Sequence, residues 1–329
     1  MDRRLQGLPA LGRGSCLLAA RHRLPARGAA LPAPSRGVTG IRVNPGPPVL
    51  RFAPSPNGRL HLGHAYSALL NADLARRMGG VCRLRIEDID PQRSKPAFVD
   101  GIIADLSWLG LTYPEPVRHQ SCHMAAYRIA LDSLIDRGLA YPCFCSRGDI
   151  RAQVDSTGTT RCDPDGIPLY PGICRALDAA AVAGRIARGD PHTWRLDMGS
   201  ALRSICTPLG YSAFDEAGER RVAADPARWG DAVIARRDVP TSYHLAVVHD
   251  DAVEGITHVV RGSDLEAATD LHVLLQALLD LPVPLYRHHP LLRDAAGAKL
   301  AKSRGSATLA DLRQAGSTPQ AIRARLGFG

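Results

Sequence analysis

The sequence lacks the features that would place it in several large classes of protein. None of its apolar stretches reaches the roughly 18 residues that a membrane-spanning helix needs, because Arg, Asp or Pro interrupts each one. Its 8 Cys are too sparse for a disulfide scaffold and come without a secretory signal, which favours a reducing, cytoplasmic compartment. No repeat of solenoid period is visible. What is present, 329 residues with 45% hydrophobic content, predicts one large core with a smaller inserted module.

Positive charge is concentrated at the amino terminus. Residues 1–50 hold eight Arg, no Lys and one Asp, and so carry +7 of the formal net charge of +9. Charge on the rest of the chain therefore gives no argument for RNA binding. Residues 1–48 are similar in composition to an organelle transit peptide, but a disordered tail or a start codon assigned too early has the same composition. We favour a dispensable tail.

Strand and helix patterns alternate after this segment. Strand patterns cover 49–53 and 81–86, and helical spacing covers 64–78, 98–109 and 127–135. Further along, 233–234, 244–248 and 256–260 are strand-like or buried runs, and 265–279 has a helical pattern. This alternation predicts an α/β fold with a doubly wound parallel sheet.

Two polar motifs, far apart in the chain, have the chemistry of a nucleotide site. The first, RFAPSPNGRLHLGH, joins a strand to a helix, where free N–H groups and the helix dipole favour a phosphate. His61 and His64 can donate to phosphate oxygens, and Gly63 leaves room for a flat base. The second, KLAKS, brings Lys299 and Lys302, whose ammonium groups can neutralise a departing pyrophosphate. Either motif alone is also typical of a helix cap or of a solvated loop.

Together and in this order, the two motifs resemble the signature sequences of class I aminoacyl-tRNA synthetases. HLGH is similar to the His-Ile-Gly-His type and KLAKS to the Lys-Met-Ser-Lys-Ser type. The resemblance implies a Rossmann-like catalytic domain in which ATP is bound by His61, Gly63, His64 and Lys302 and the catalytic residues are His61, His64, Lys299 and Lys302. Ala301 departs from the pattern, since a Ser there could offer its hydroxyl to the ATP phosphates.

Longer strings resemble the glutamyl branch of these enzymes, namely RFAPS, RIEDID, TSYHLAVVHDD and VRGSD. A glutamate site must meet two carboxylates and one ammonium, so it needs arginines and an acid. The resemblance implies that Arg51, Phe52, Ala53, Pro54, Ser55, Glu87, Tyr243 and Arg261 line the pocket, with Glu87 receiving the amine. The alternatives are a Glu87 paired with Arg85 and a Tyr243 that is a core aromatic. His244 departs from the Asn common in relatives.

A metal-ligand pattern lies in a stretch rich in Gly, Pro and Asp. Cys143 and Cys145 form a Cys-x-Cys pair, and Cys174 follows Tyr170 by four residues. Three thiolates and a phenolate can close a tetrahedral site. The pattern resembles the zinc site of the glutamyl-queuosine tRNA(Asp) synthetases, which implies one structural Zn2+ on these four residues. Cys162 is an alternative fourth ligand, and scattered buried cysteines are the alternative to a metal site.

The same resemblance implies the organisation and the function of the chain. Only 26 residues follow Ser303, too few for a large anticodon-binding region. We expect a tail at 1–48, halves of the nucleotide-binding domain at 49–142 and 226–303, a zinc-containing insertion and acceptor-like subdomain at 143–225, and a short helical tail at 304–329. We expect a monomer that activates glutamate with ATP and Mg2+, without tRNA, and transfers it to the queuosine base of tRNA(Asp).

Three alternatives stay open at this point. One is a reduced glutamyl enzyme that charges a tRNA 3′ end, acting with a separate anticodon-binding partner. Another is a non-catalytic RNA-binding paralogue, against which the retained His61, His64 and Lys302 argue. The third is a glutaminyl enzyme, which RFAPS disfavours.

Overall fold

A parallel sheet built from two distant parts of the chain lies at the centre of the fold. The computed structural model describes residues 46–158, 161–292 and 307–328, which form ten strands. These are β1 (Val49–Phe52), β2 (Val81–Ile86), β3 (Arg118–His119), β4 (Ala140–Cys143), β5 (Thr193–Leu196), β6 (Gly210–Asp215), β7 (Gly218–Ala223), β8 (Val233–Ala235), β9 (His258–Gly262) and β10 (Leu285–His289). β1, β2 and β3 pair in parallel in that order. β9, β10 and β6 are also parallel, with β7 antiparallel at the edge.

The same residues form ten α-helices. They are α1 (Leu62–Arg77), α2 (Pro96–Trp108), α3 (Met124–Asp136), α4 (Arg147–Thr157), α5 (Ala179–Ala187), α6 (Met198–Arg203), α7 (Tyr243–Val253), α8 (Ala268–Leu278), α9 (Leu309–Gln314) and α10 (Pro319–Arg325). The helical spacing in the sequence therefore predicted α1, α2, α3 and α8. No helix in the described ranges combines the length and the apolar character that crossing a membrane requires.

Hydrogen bonds between Val49 and Thr257 connect the two groups of parallel strands. The N–H of Thr257 donates to the carbonyl of Val49 (2.9 Å), and the N–H of Val49 donates to the Thr257 hydroxyl (2.8 Å). Asn71 of α1 adds a side-chain bond to the carbonyl of Val260 (3.1 Å). We call this junction of β1 and β9 the seam. Across it the strand order is β3-β2-β1-β9-β10-β6-β7, so the predicted parallel, Rossmann-like sheet is confirmed, and ligands of such sheets bind at the carboxyl ends of the strands beside the seam.

One of the strand-like or buried runs proves to be helical. The run 244–248 lies inside α7, which Ser242 caps by accepting from the N–H of Leu245 (3.4 Å). The four residues from Leu245 to Val248 are all buried. A helix covered on several sides shows no regular alternation of polar and apolar residues, so its period cannot be read from so short a run.

The chain between the two halves of the sheet forms a smaller antiparallel sheet. β5 lies at its centre, with β4 and β8 on either side. The helices α4 and α5 lie between β4 and β5 in the sequence, and α5 has no buried residue. The predicted domain boundaries stay predictions.

The two C-terminal helices pack close to the start of α1. Leu309 of α9 and Ile322 of α10 are buried in the same hydrophobic cluster as Phe52 and Leu60. The N–H of Leu309 also donates to the carbonyl of Leu60 (2.8 Å). The C-terminal residues therefore support the segment that leads into α1.

Candidate active site

A cavity of about 1050 Å³ opens at the carboxyl ends of β1, β2 and β9. Every residue expected in the glutamate site lines it: Arg51, Phe52, Ala53, Pro54, Ser55, Glu87, Tyr243 and Arg261. The nucleotide residues His61, Gly63 and His64 line the same cavity. The structure therefore brings the two expected sites into one space, as a reaction between an amino acid and a nucleotide requires.

The nucleotide motif forms the amino-terminal cap of α1. His61 Nδ1 accepts from the N–H of Gly63 (3.1 Å), and His64 Nδ1 accepts from the N–H of His61 (3.2 Å). Because both Nδ1 atoms accept, the proton of each neutral ring lies on Nε2. A Cβ at Gly63 would lie 2.9 Å from Cε1 of His61, so glycine is needed to keep that ring in place. The sequence suggested that Gly63 leaves room for a flat base, and the position of the His61 ring is a second reason for a glycine there.

Arg51 and Arg85 share the carboxylate of Asp251 below the cavity. Asp251 Oδ1 accepts from Arg51 Nε (3.1 Å) and from Arg85 Nη2 (2.6 Å). Arg85 is completely buried and also lies 2.6 Å from a carboxylate oxygen of Glu254. Burial alone would raise the pKa of Asp251, but the two arginines hold it below its usual value. Arg51 therefore reaches the cavity already oriented and already paired with an acid.

Glu87 follows β2 and is buried with little compensation of its charge. Its Oε1 lies 3.9 Å from Arg85 Nη1, whereas Asp251 and Glu254 each lie 2.6 Å from Arg85 Nη2. Burial raises the pKa of Glu87 from 4.5 to about 7, against the opposing effect of Arg85 and Arg51. The contact with Arg85 therefore exists but leaves the carboxylate undercompensated. Such a group ionises readily when an ammonium arrives beside it.

Arg261 reaches the cavity from β9 and is held by uncharged acceptors. Its Nη2 donates to Thr269 Oγ1 (2.8 Å), its Nη1 lies 3.2 Å from His272 Nδ1, and its Nε donates to His288 Nε2 (3.4 Å). Tyr243 OH lies 3.5 Å from Nη1. Burial and the neighbouring guanidinium lower the pKa of His272 well below 6.5 and that of His288 to about 3, so both rings are neutral. Among the residues that the structure describes, no carboxylate lies at ion-pair distance from Arg261.

A second buried acid, Asp250, was missed because the sequence offered only the string TSYHLAVVHDD. Its carboxylate accepts from Arg118 Nη2 (2.8 Å), Gln120 Nε2 (2.9 Å) and Tyr127 OH (2.8 Å). It thereby fixes α7 to β3 and α3, while the adjacent Asp251 orients Arg51. Two consecutive acids at the end of a buried run are the signal that could have revealed this pair, because buried acids need partners.

Four further residues with a basic or acidic side chain line the cavity and were not identified from the sequence: Arg93, Lys95, Asp264 and His289. Arg93 and Lys95 add two cations to the wall of a cavity expected to hold a polyphosphate. The segment before α2 shows no recognisable motif that would have singled them out. Lys299 and Lys302, with the departure at Ala301, lie outside the described residues, and their roles stay predictions.

Three thiols converge at the end of β4. The Sγ atoms of Cys143, Cys145 and Cys174 lie within 4.8 Å of one another. Tyr170 OH lies 3.5 Å from Cys145 Sγ and accepts from the N–H of Cys174 (2.8 Å). Cys162 is exposed and does not belong to this three-thiol cluster. The cluster could hold a metal ion, with the Tyr170 oxygen beside it.

Comparison with known proteins places these features in one family. Residues 49–328 match the family described as tRNA synthetases class I (E and Q), catalytic domain. A protein of Rhodobacter capsulatus named Glutamyl-Q tRNA(Asp) synthetase is 45% identical over 290 residues, which cover 85% of this chain and 100% of that protein. A protein of the same name from Symbiobacterium thermophilum is 41% identical, covering 84% of this chain and 85% of its own length.

Longer relatives match over part of their length. The Glutamate--tRNA ligase of Oleidesulfovibrio alaskensis is 37% identical over 83% of this chain and 55% of its own. The crystal structure of a glutamate tRNA ligase from Elizabethkingia meningosepticum in complex with its amino acid has a TM-score of 0.70 and 26% identity, covering 85% of this chain and 60% of that one. This chain therefore spans little more than half of these two longer proteins.

Proposed function

This chain belongs to the family of class I tRNA synthetase catalytic domains for glutamate and glutamine, and from that membership we propose a glutamate-activating ligase. It forms glutamyl-adenylate from glutamate and ATP without tRNA, and it transfers the glutamyl group to the queuosine base in the anticodon loop of tRNA(Asp). The observation that carries the proposal is that one cavity contains a buried acid, two buried arginines and the nucleotide motif. The Rhodobacter capsulatus relative, matched over its whole length, supports the transfer step through its name.

We assign glutamate to the part of this cavity that is lined by Glu87, Arg261 and Arg51, because their charges are complementary to those of glutamate. The α-ammonium pairs with Glu87, whose undercompensated carboxylate gains the cation that its own surroundings do not supply. A substrate carboxylate pairs with Arg261, which has no counter-ion among the described residues. Arg51, oriented by Asp251, donates to the other carboxylate. Glutamine has only one carboxylate, so it would leave one of the two arginines without an anionic partner on the substrate.

ATP occupies the part of the cavity beside the start of α1. His61 and His64 donate from Nε2 to phosphate oxygens, since their Nδ1 atoms are used in the helix cap. Lys302 and Lys299, outside the described residues, are assigned to the leaving pyrophosphate. Mg2+ enters with ATP and neutralises part of the phosphate charge.

Adenylation then needs positioning and charge neutralisation. An oxygen of the α-carboxylate attacks the α-phosphorus, the bond from that phosphorus to the bridging β-phosphate oxygen breaks, and pyrophosphate leaves. In the second step a hydroxyl of the modified base attacks the carbonyl carbon of the adenylate, the bond from that carbon to the phosphate oxygen breaks, and AMP leaves with the electron pair while its phosphate takes up the hydroxyl proton. No side chain of the protein has to act as a nucleophile.

We propose that the three-thiol cluster and Tyr170 hold one structural Zn2+. Three sulfur donors and one phenol oxygen suit a closed tetrahedral site. When bound, the ion fixes the segment around Tyr170 and Cys174 to the end of β4, and adenylation requires no open position on it. A reducing, cytoplasmic setting keeps the three thiols available for the metal.

Glutamate-dependent exchange of pyrophosphate into ATP, measured without tRNA, tests the first step. Transfer of labelled glutamate is then measured with queuosine-containing tRNA(Asp), queuosine-free tRNA(Asp) and tRNA(Glu). Exchange together with queuosine-dependent transfer is the expected result. Transfer to tRNA(Glu) that is lost after periodate has oxidised the 3′-terminal ribose would instead show a reduced charging enzyme. This is the function named for the Oleidesulfovibrio alaskensis relative. Absence of exchange would contradict the enzymatic function and favour a non-catalytic RNA-binding paralogue.

A further inference from the structure

Histidines behind Arg261 form hydrogen bonds whose direction is fixed by their chemistry. A guanidinium only donates, so His272 Nδ1, 3.2 Å from Arg261 Nη1, must accept. The proton of the neutral ring is then on Nε2, which lies 3.1 Å from His244 Nδ1 and donates to it. The bonds therefore run from Arg261 to His272 and from His272 to His244. Reversing either bond would require a proton on the acceptor atom.

A matching pair of acceptors holds the other side of the guanidinium. Thr269 Oγ1 accepts from Arg261 Nη2 (2.8 Å), and its own proton can go to His288 Nε2 (3.1 Å). His288 Nε2 also accepts from Arg261 Nε (3.4 Å). All three nitrogens of the guanidinium are thus engaged by neutral groups. The plane of Arg261 is fixed, while its positive charge is not cancelled.

The two arginines of the pocket are therefore prepared in different ways. Arg51 is oriented by an acid, Asp251, which also compensates its charge. Arg261 is oriented by imidazoles and a hydroxyl, which leave its charge for a ligand. His272 and Thr269, both from α8, are almost completely buried. Water is thereby kept from the back of the guanidinium, and an anion entering the cavity is its principal electrostatic partner.

We propose that His272, supported by His244, is a positioning residue that selects an anionic substrate side chain by orienting Arg261 without neutralising it. This inference rests on the proposed function, because it takes glutamate as the ligand of the cavity and takes its side-chain carboxylate as the one that pairs with Arg261. It also gives a role to His244, because the acceptor at its Nδ1 keeps the proton of His272 on Nε2. An acid in place of His272 would orient Arg261 equally well but would remove the charge that distinguishes glutamate from glutamine.

Three variants of His272 separate orientation from charge. His272→Asn places a neutral oxygen where Nδ1 lies, His272→Leu removes the acceptor at similar size, and His272→Asp supplies a charged acceptor. We expect the KM for glutamate to stay within about threefold of wild type in the Asn variant and to rise by about tenfold or more in the Leu variant, with the KM for ATP unchanged. In the Asp variant the preference for glutamate over glutamine, as a ratio of kcat/KM values, should fall by about tenfold.

The assay is pyrophosphate exchange at varied glutamate, glutamine and ATP, with the glutamate-induced shift in melting temperature measured on the same four proteins. An Asn variant no better than the Leu variant, equal rises in the KM values for glutamate and ATP, or an unchanged preference in the Asp variant would each overturn the positioning role. If the wild type catalyses exchange and the variants give one of these three outcomes, only the role of His272 is contradicted. A wild type that shows neither exchange nor a glutamate-induced shift contradicts the proposed function and this inference together.

Discussion

Replacing Glu87 by glutamine should make the empty protein more stable while abolishing glutamate activation. Glutamine keeps the size and shape of the side chain and removes its charge. In the folded chain burial raises the pKa of Glu87 from 4.5 to about 7, so above that pH the protein folds around a buried, undercompensated carboxylate. The Glu87→Gln variant does not carry this cost, but it offers no anion to the substrate ammonium.

The size of the effect follows from the two pKa values and depends on pH. Below 4.5 the carboxyl is protonated in the folded and the unfolded chain, and the two proteins should be equally stable on this ground. Between 4.5 and about 7 the folded wild type holds the proton more tightly than the unfolded chain, so its stability falls as pH rises. Above about pH 7 the difference in unfolding free energy between the two proteins is constant. At 1.36 kcal/mol per pKa unit it amounts to about 3 kcal/mol in favour of the glutamine variant.

Urea unfolding of the wild type and the variant at pH 5 and pH 8 measures this difference in unfolding free energy. We expect about 1 kcal/mol at pH 5 and about 3 kcal/mol at pH 8, together with a loss of exchange activity of at least about a hundredfold. Glu219→Gln, at an exposed position of β7, is the matched control and should change neither quantity. A variant that is equally stable or less stable than the wild type at pH 8 would show that Arg85 compensates Glu87, and our description of the pocket would be wrong.

Three further substitutions test other parts of the structure. Asp251→Asn leaves two buried arginines without their shared carboxylate, and urea unfolding should show a loss of about 3–5 kcal/mol. Gly63→Ala should raise the KM for ATP in the exchange assay by about tenfold, because its Cβ displaces the neighbouring imidazole, whereas Gly148→Ala, which meets only ordinary contacts, should not. Cys174→Ser should lower both the zinc content measured by mass spectrometry and the melting temperature, and the exposed Cys206→Ser should leave both unchanged.

Local patterns in the sequence predicted the elements that hold the site. The strand 49–53, the polar turn after it and the helical spacing from His64 are consecutive, so their meeting at the carboxyl end of β1 follows from the chain itself. The resemblance of RIEDID and VRGSD to family strings predicted that Glu87 and Arg261 share a pocket, and both line the same cavity. Such placements can be predicted because each depends on a strand end or a helix start, whereas the roles of these residues stay predictions.

The electrostatic arrangement behind the pocket could not be predicted in this way. Asp251 meets Arg51 across 200 positions of sequence, and nothing in either local pattern specifies the partner. His272 stands on the largely buried helix α8, where a lone histidine is easily taken for a core residue. Its contact with Arg261 depends on the packing of α8 beside β9. Which acid compensates which arginine is therefore a property of the tertiary structure.

The order in which the ribosome makes the chain has a consequence for the seam. Its two sides, Val49 and Thr257, are 208 residues apart, and the shared carboxylate of Asp251 is made only shortly before Thr257. At about 5–20 residues per second, this carboxylate follows Arg51 by roughly 10–40 s. Until it emerges, Arg51 and Arg85 lack the carboxylate that they share, so we expect the first half of the pocket to stay hydrated on the nascent chain. Synthesis of α7 thus supplies the counter-charge for the pocket, and Thr257 and β9, made directly after it, allow the seam to form.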